Sequence, residues 1–167
     1  MKKILLTIGL LLTFTFVNGQ LAGIISSEDK SGPSYGPELL TDGEFAVGTD
    51  WTFNTGWTYD GVNDEADYDD ATNDATLVQV SGDLQVIFKI NTTYKFELDV
   101  SGNQIQFQVL SSNGGEQYRG NSNYAVGSHE VEFTTGASVG TNGIMIKAKT
   151  ASVGACSITN LSIKEVL

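Results

Sequence analysis

Between Thr93 and Gly102 the chain reads TYKFELDVSG, an unbroken alternation with Tyr94, Phe96, Leu98 and Val100 on one side and Lys95, Glu97 and Asp99 on the other. A period of two belongs to a strand with one buried and one wet face; a helix would scatter the same residues around its surface. The pattern recurs along the chain. NQIQFQVL sets Ile105, Phe107 and Val109 inward and Gln104, Gln106 and Gln108 outward, and HEVEF sets Val131 and Phe133 against Glu130 and Glu132. GIMIKAK and CSITNLSIKEV close the chain in the same manner. Gly, Asn, Asp and Ser bound these runs, and no helical period follows the N-terminal segment. The pattern predicts an all-β chain, a jelly-roll β-sandwich of about eight or nine antiparallel strands.

The N-terminus has a different character. Lys2 and Lys3 precede an apolar run from Ile4 to Val17, followed by Asn18, Gly19 and Gln20. That is the layout of a secretory signal peptide, and the run falls short of the roughly 18 apolar residues that a membrane span needs. Residues 1–19 are read as a signal peptide, 20–37 as a flexible leader rich in small residues and carrying both prolines, and 38–167 as one domain. No cysteine lies near the cleavage site, so the expected product is released, secreted or periplasmic, and free of the membrane after cleavage.

Charge and cysteine content narrow the chemistry. The formal net charge is −11, which argues against nucleic acid and anionic membranes as partners and leaves neutral ligands open. Cys156 is the sole cysteine and falls in the apolar alternation of the last run, so it reads as a core residue. The stretch DGVNDEADYDDATND, residues 60–74, holds seven carboxylates and no cation. It lacks the glycine and terminal glutamate of an EF-hand loop, which leaves a looser calcium site as one reading of the acids. Its Glu65, Asp67 and Asp69 share one strand face, as glycosidase carboxylates do, but an exposed edge strand whose charge blocks aggregation accounts for them better. No catalytic residue is assigned.

The ends of the domain carry a resemblance. ELLTDGEFAVGTDWTFNTGWTYDG, residues 38–61, is similar to the opening of the CenC-like carbohydrate-binding modules, and SITNLSIKEVL resembles their closing strand. That family has a galactose-binding-domain-like jelly-roll fold and binds glycans without changing them. The resemblance implies a secreted, non-catalytic module for a neutral polysaccharide, with Trp51 and Trp57 in the core. Similar jelly rolls also serve as structural or adhesive surface components, such as virion decorations, which is the alternative. The expected ligand face combines outward Gln106 and Gln108 with Tyr118, Arg119 and Tyr124, where amides, rings and a guanidinium stand outside the inferred core. The family often holds a structural calcium; here Ala46 and Thr159 replace usual carboxylates, which leaves Asp42 and Glu44 as candidate ligands and no cofactor as a requirement.

Overall fold

The computed structural model describes residues 32–150 and 154–167; the expected signal peptide and the leader up to residue 31 lie outside the described residues. Pro33–Leu167 forms one compact unit. Its strands are β1 (Tyr35–Glu38), β2 (Thr52–Phe53), β3 (Trp57–Asp60), β4 (Glu65–Tyr68), β5 (Ala75–Gln79), β6 (Thr93–Ser101), β7 (Ile105–Leu110), β8 (Gln117–Tyr124), β9 (Gly127–Thr134), β10 (Ile144–Lys149) and β11 (Cys156–Val166). They build two antiparallel sheets. One has the order β3-β4-β11-β6-β9 with β1 also paired to β11, and the other has the order β2-β5-β10-β7-β8. The architecture is the all-β sandwich that the alternation predicts.

Buried positions follow the period of two. Tyr94, Phe96, Leu98 and Val100 of β6 face Ile105, Phe107 and Val109 of β7 and Ile144, Ile146 and Ala148 of β10 across one hydrophobic core. Each of the larger of these side chains contributes about 1.5–3 kcal/mol by leaving water. Aromatic rings interlock within it: Phe107 stacks on Tyr124 at 4.3 Å between centroids, and Phe96 meets Phe107 edge-on at 6.1 Å. Cys156 is buried among them, and desolvation, with Asp70 and Asp67 nearby, pushes its thiol up to about 12. That matches a core cysteine and excludes a ready thiolate.

The last strand breaks its own alternation. Cys156 and Ile158 are buried, and so are Leu161 and Ile163, a change of parity between 158 and 161. The register with β6 shifts between Thr159 and Ser162, and Asn160 takes a φ of 52°, so a bulge absorbs the extra residue. The loop after β1 docks at this bulge. Leu161 N–H donates to Gly43 O at 2.9 Å, and a Cβ on Gly43 would sit 1.9 Å from Leu161 O, so only glycine fits.

Two expectations about organisation change. The leader expected over residues 20–37 ends earlier: Tyr35–Glu38 is a strand, with Tyr35 opposite Val166 and Glu38 opposite Lys164. Gly36 and Pro37 read as loop signals, yet a strand at a sheet margin tolerates a residue without an N–H. The second concerns the acidic stretch. β4 is not an edge strand; it lies between β3 and β11, and β3 forms the edge. An edge strand and an inner strand with one solvated face produce the same Glu-Ala-Asp-Tyr alternation, so the sequence did not separate them. Ser157 Oγ donates to Asp67 Oδ1 at 2.6 Å, which ties the acid to its neighbouring strand.

Candidate functional site

The outward side of the five-stranded sheet is built by alternation on its central strand. Ile144, Ile146 and Ala148 of β10 are buried, so Met145, Lys147 and Lys149 project outward. Register then places their neighbours. Lys147 lies opposite Thr76 on one side and Gln108 on the other; Lys149 lies opposite Gln106, and Gln106 opposite Asn123. Two polar rows therefore cross adjacent strands, Thr76–Lys147–Gln108 and Lys149–Gln106–Asn123. A third row, Val78–Met145–Leu110, is apolar.

Hydrogen bonds set the groups in these rows. Gln106 Nε2 donates to Asn123 Oδ1 at 2.7 Å, and Asn54 Nδ2 donates to Thr76 Oγ1 at 2.9 Å. Both lysine ammoniums converge on Oδ1 of Asp74, the residue just before β5; Lys147 Nζ stands 3.4 Å away and Lys149 Nζ forms the shorter pair. The side chain of Gln108 has no hydrogen-bond partner among the described residues. A surface of this kind offers amide donors and acceptors, hydroxyls and ammoniums along one plane, which suits a hydroxyl-rich ligand. No aromatic ring stands among these outward positions.

The expected site residues separate here. Gln106 and Gln108 are on this face. Tyr118 and Tyr124 are not: they are 5% and 2% exposed and belong to the core, which corrects the expectation that their rings stand outside it. Tyr118 Oη donates to Val139 O at 2.7 Å. Arg119 turns to the margin between the sheets, where Nε donates to Tyr124 Oη at 3.0 Å and a terminal nitrogen to Glu132 O at 3.1 Å. It ties β8 to β9 across the sandwich. Lys147 and Lys149 are further members of this face, and the alternation of GIMIKAK is the sequence signal that marks them as outward.

The six-stranded sheet carries a groove of about 710 Å³ lined by Glu38, Asp42, Glu44, Glu97, Asp99 and Glu130, among others. Most of these acids already serve the fold. Glu38 accepts from the amides of Leu39, Leu40 and Ile163 and from Ser162 Oγ. Glu97 and Glu130 both pair with Lys95, at 2.8 and 2.9 Å, and hydrogen bonds from Ser128 and Asn160 hold Asp99 below the usual carboxylate range. Asp42 closes its own loop, accepting from the amides of Val47 and Gly48. Glu44 is exposed. Among the described residues no three His, Cys, Asp or Glu side chains are grouped to hold a metal ion.

Comparison with solved structures assigns the architecture. The second N-terminal cellulose-binding domain of Cellulomonas fimi β-1,4-glucanase C superposes with a TM-score of 0.55 at 16% identity, covering 79% of this chain and 96% of that domain. The fold is the jelly-roll β-sandwich that this cellulose-binding domain also has. A xylan-binding domain from Paenibacillus barcinonensis has a TM-score of 0.50 at 11% identity, covering 81% of this chain and 96% of its own. No family model and no curated protein matches the chain. At these identities the likeness is one of fold, and the arrangement of groups on the jelly roll belongs to this sequence.

Proposed function

We propose that this protein is a secreted, non-catalytic carbohydrate-binding module whose ligand lies across the outward side of the five-stranded sheet. The observation that carries the reading is the pair of polar rows, in which amides, hydroxyls and ammoniums on adjacent strands face solvent together while the core takes the aromatics. Similarity in fold to a cellulose-binding and a xylan-binding domain supports the class of ligand. Secretion rests on the N-terminal signal pattern.

The test is a panel of immobilised polysaccharides and a double substitution, Gln106→Ala with Gln108→Ala. Each amide lost from a ligand hydroxyl weakens binding by roughly two- to tenfold. The melting temperature should hardly move, because both side chains are partly exposed. A panel with no ligand, or a double variant that binds like the parent, removes the assignment.

The reading also needs no metal. Asp42 is committed to the Val47 and Gly48 amides, so calcium is expected to leave the melting temperature where a chelator leaves it. A rise of several degrees at low calcium would instead show that the native state binds the ion.

A further inference from the structure

The charge of this chain is sorted between its two sheets. The strands of the six-stranded sheet hold nine carboxylates, Glu38, Asp60, Glu65, Asp67, Glu97, Asp99, Glu130, Glu132 and Glu165, against Lys95 and Lys164. The strands of the five-stranded sheet hold no carboxylate at all, and they carry Arg119, Lys147 and Lys149. In a protein with 20 acidic residues and nine cations, a carboxylate-free sheet is a local reversal of the overall balance. Lys147 and Lys149 stand on its central strand, in the middle of the candidate face.

Asp74 shows what these two ammoniums bind. It lies outside the strand, and a single oxygen, Oδ1, meets both Lys147 and Lys149. Its side chain is 43% exposed, so solvent and solutes reach the same point. Two cations facing one carboxylate leave a positive charge in excess, with the amides of Gln106 and Gln108 beside it to take neighbouring hydroxyls. Total charge favours a neutral ligand, but at physiological ionic strength the Debye length is about 8 Å, so carboxylates on the opposite sheet are screened from this face.

We infer that the ligand of this face is an acidic glycan, with the carboxylate of a uronic acid residue bound between Lys147 and Lys149 in competition with Asp74. The inference rests on the glycan-binding reading and adds the charge class of the ligand. It requires no chemistry on the sugar, only exchange of one carboxylate partner for another.

Calorimetry with oligogalacturonates, alginate oligomers and glucuronoxylan oligomers tests it, each as the free acid and as its methyl ester, beside neutral cello- and xylo-oligosaccharides. The free acids should bind roughly tenfold or more tighter than their esters, since a hydrogen bond to a charged group exceeds a neutral one by about that factor. Lys147→Gln with Lys149→Gln should bring acid and ester to the same affinity, and Lys147→Arg with Lys149→Arg should keep the preference. Asp74→Asn should tighten acid binding, because it removes the internal competitor while asparagine tolerates the φ of 64° at that position. Equal binding of acids, esters and neutral sugars, or a preference that survives the double glutamine variant, overturns the acidic assignment but keeps the glycan reading. So does a sulfated oligosaccharide that alone depends on the lysines. If no oligosaccharide of any charge binds, both fall together.

Discussion

Tyr118→Ala is expected to lower the free energy of unfolding by about 3–5 kcal/mol, the range for truncating a buried aromatic. The ring of Tyr118 lies parallel to Phe133 at 6.0 Å and packs on Phe88 at 4.9 Å, so truncation opens a ring-sized cavity beside these two aromatics. Its hydroxyl donates its one proton to Val139 O at 2.7 Å, with Gly143 O the more distant acceptor at 3.3 Å, so truncation also strips this donor from the Val139–Gly143 turn. Burial raises the phenol's pKa, as expected for a group kept neutral in the interior. Tyr118→Phe keeps the ring and separates the two contributions, costing about 1–3 kcal/mol for the carbonyls left without their donor. Urea unfolding of the pair decides the matter. A Tyr118→Ala protein with parental stability and weakened glycan binding would return this residue to the surface site.

The strands and the site were legible to different degrees, for reasons visible in single residues. β6 and β7 announce themselves because each buries one face, and alternation survives any choice of partner strand. β2 is two residues long, below the length at which a period can be read, and Gly36 with Pro37 disguises β1. The bulge at Asn160 shows in sequence only as the three-residue step from Ile158 to Leu161.

Asn, Ser, Gly and Arg surround Tyr118 and Tyr124 in the sequence and disguise them as loop residues outside the core. Their separation of six residues gives them the same parity on β8, and as its only large apolar side chains they are the natural inward set. Arg119 escapes that rule because the β7–β8 register shifts beside it. The segregation of charge was hidden for another reason. It appears only once β10 is known to lie between β5 and β7, and those pairings join segments far apart in the chain. Local pattern carries which way a residue faces; sheet order, set by long-range packing, carries what it faces beside.

The tryptophans of TDGEFAVGTDWTFNTGW close the fold, and the second should do so at a measurable cost. Trp57 is 3% exposed and lies opposite Tyr68 in register, with ring centroids 5.3 Å apart. Gly56 precedes it at a φ of 93°, and a Cβ there would meet Thr72 and Ala75 within 2.8 Å, so the turn that delivers the indole has no slack. Trp57→Ala is therefore expected to cost about 3–5 kcal/mol. Trp57→Phe should behave differently from the same change at Trp51. Trp51 Nε1 donates to Asp42 O at 2.9 Å, whereas Trp57 Nε1 is buried without a partner among the described residues. Replacing Trp51 by phenylalanine strands the Asp42 carbonyl; replacing Trp57 removes a polar group whose burial already costs about 1–3 kcal/mol. The phenylalanine variant at 57 should thus be the milder of the two by about 1 kcal/mol or more, measured by chemical denaturation at equal m-value. Equal losses at both positions would mean that a water or a neighbouring group satisfies the Trp57 indole in solution.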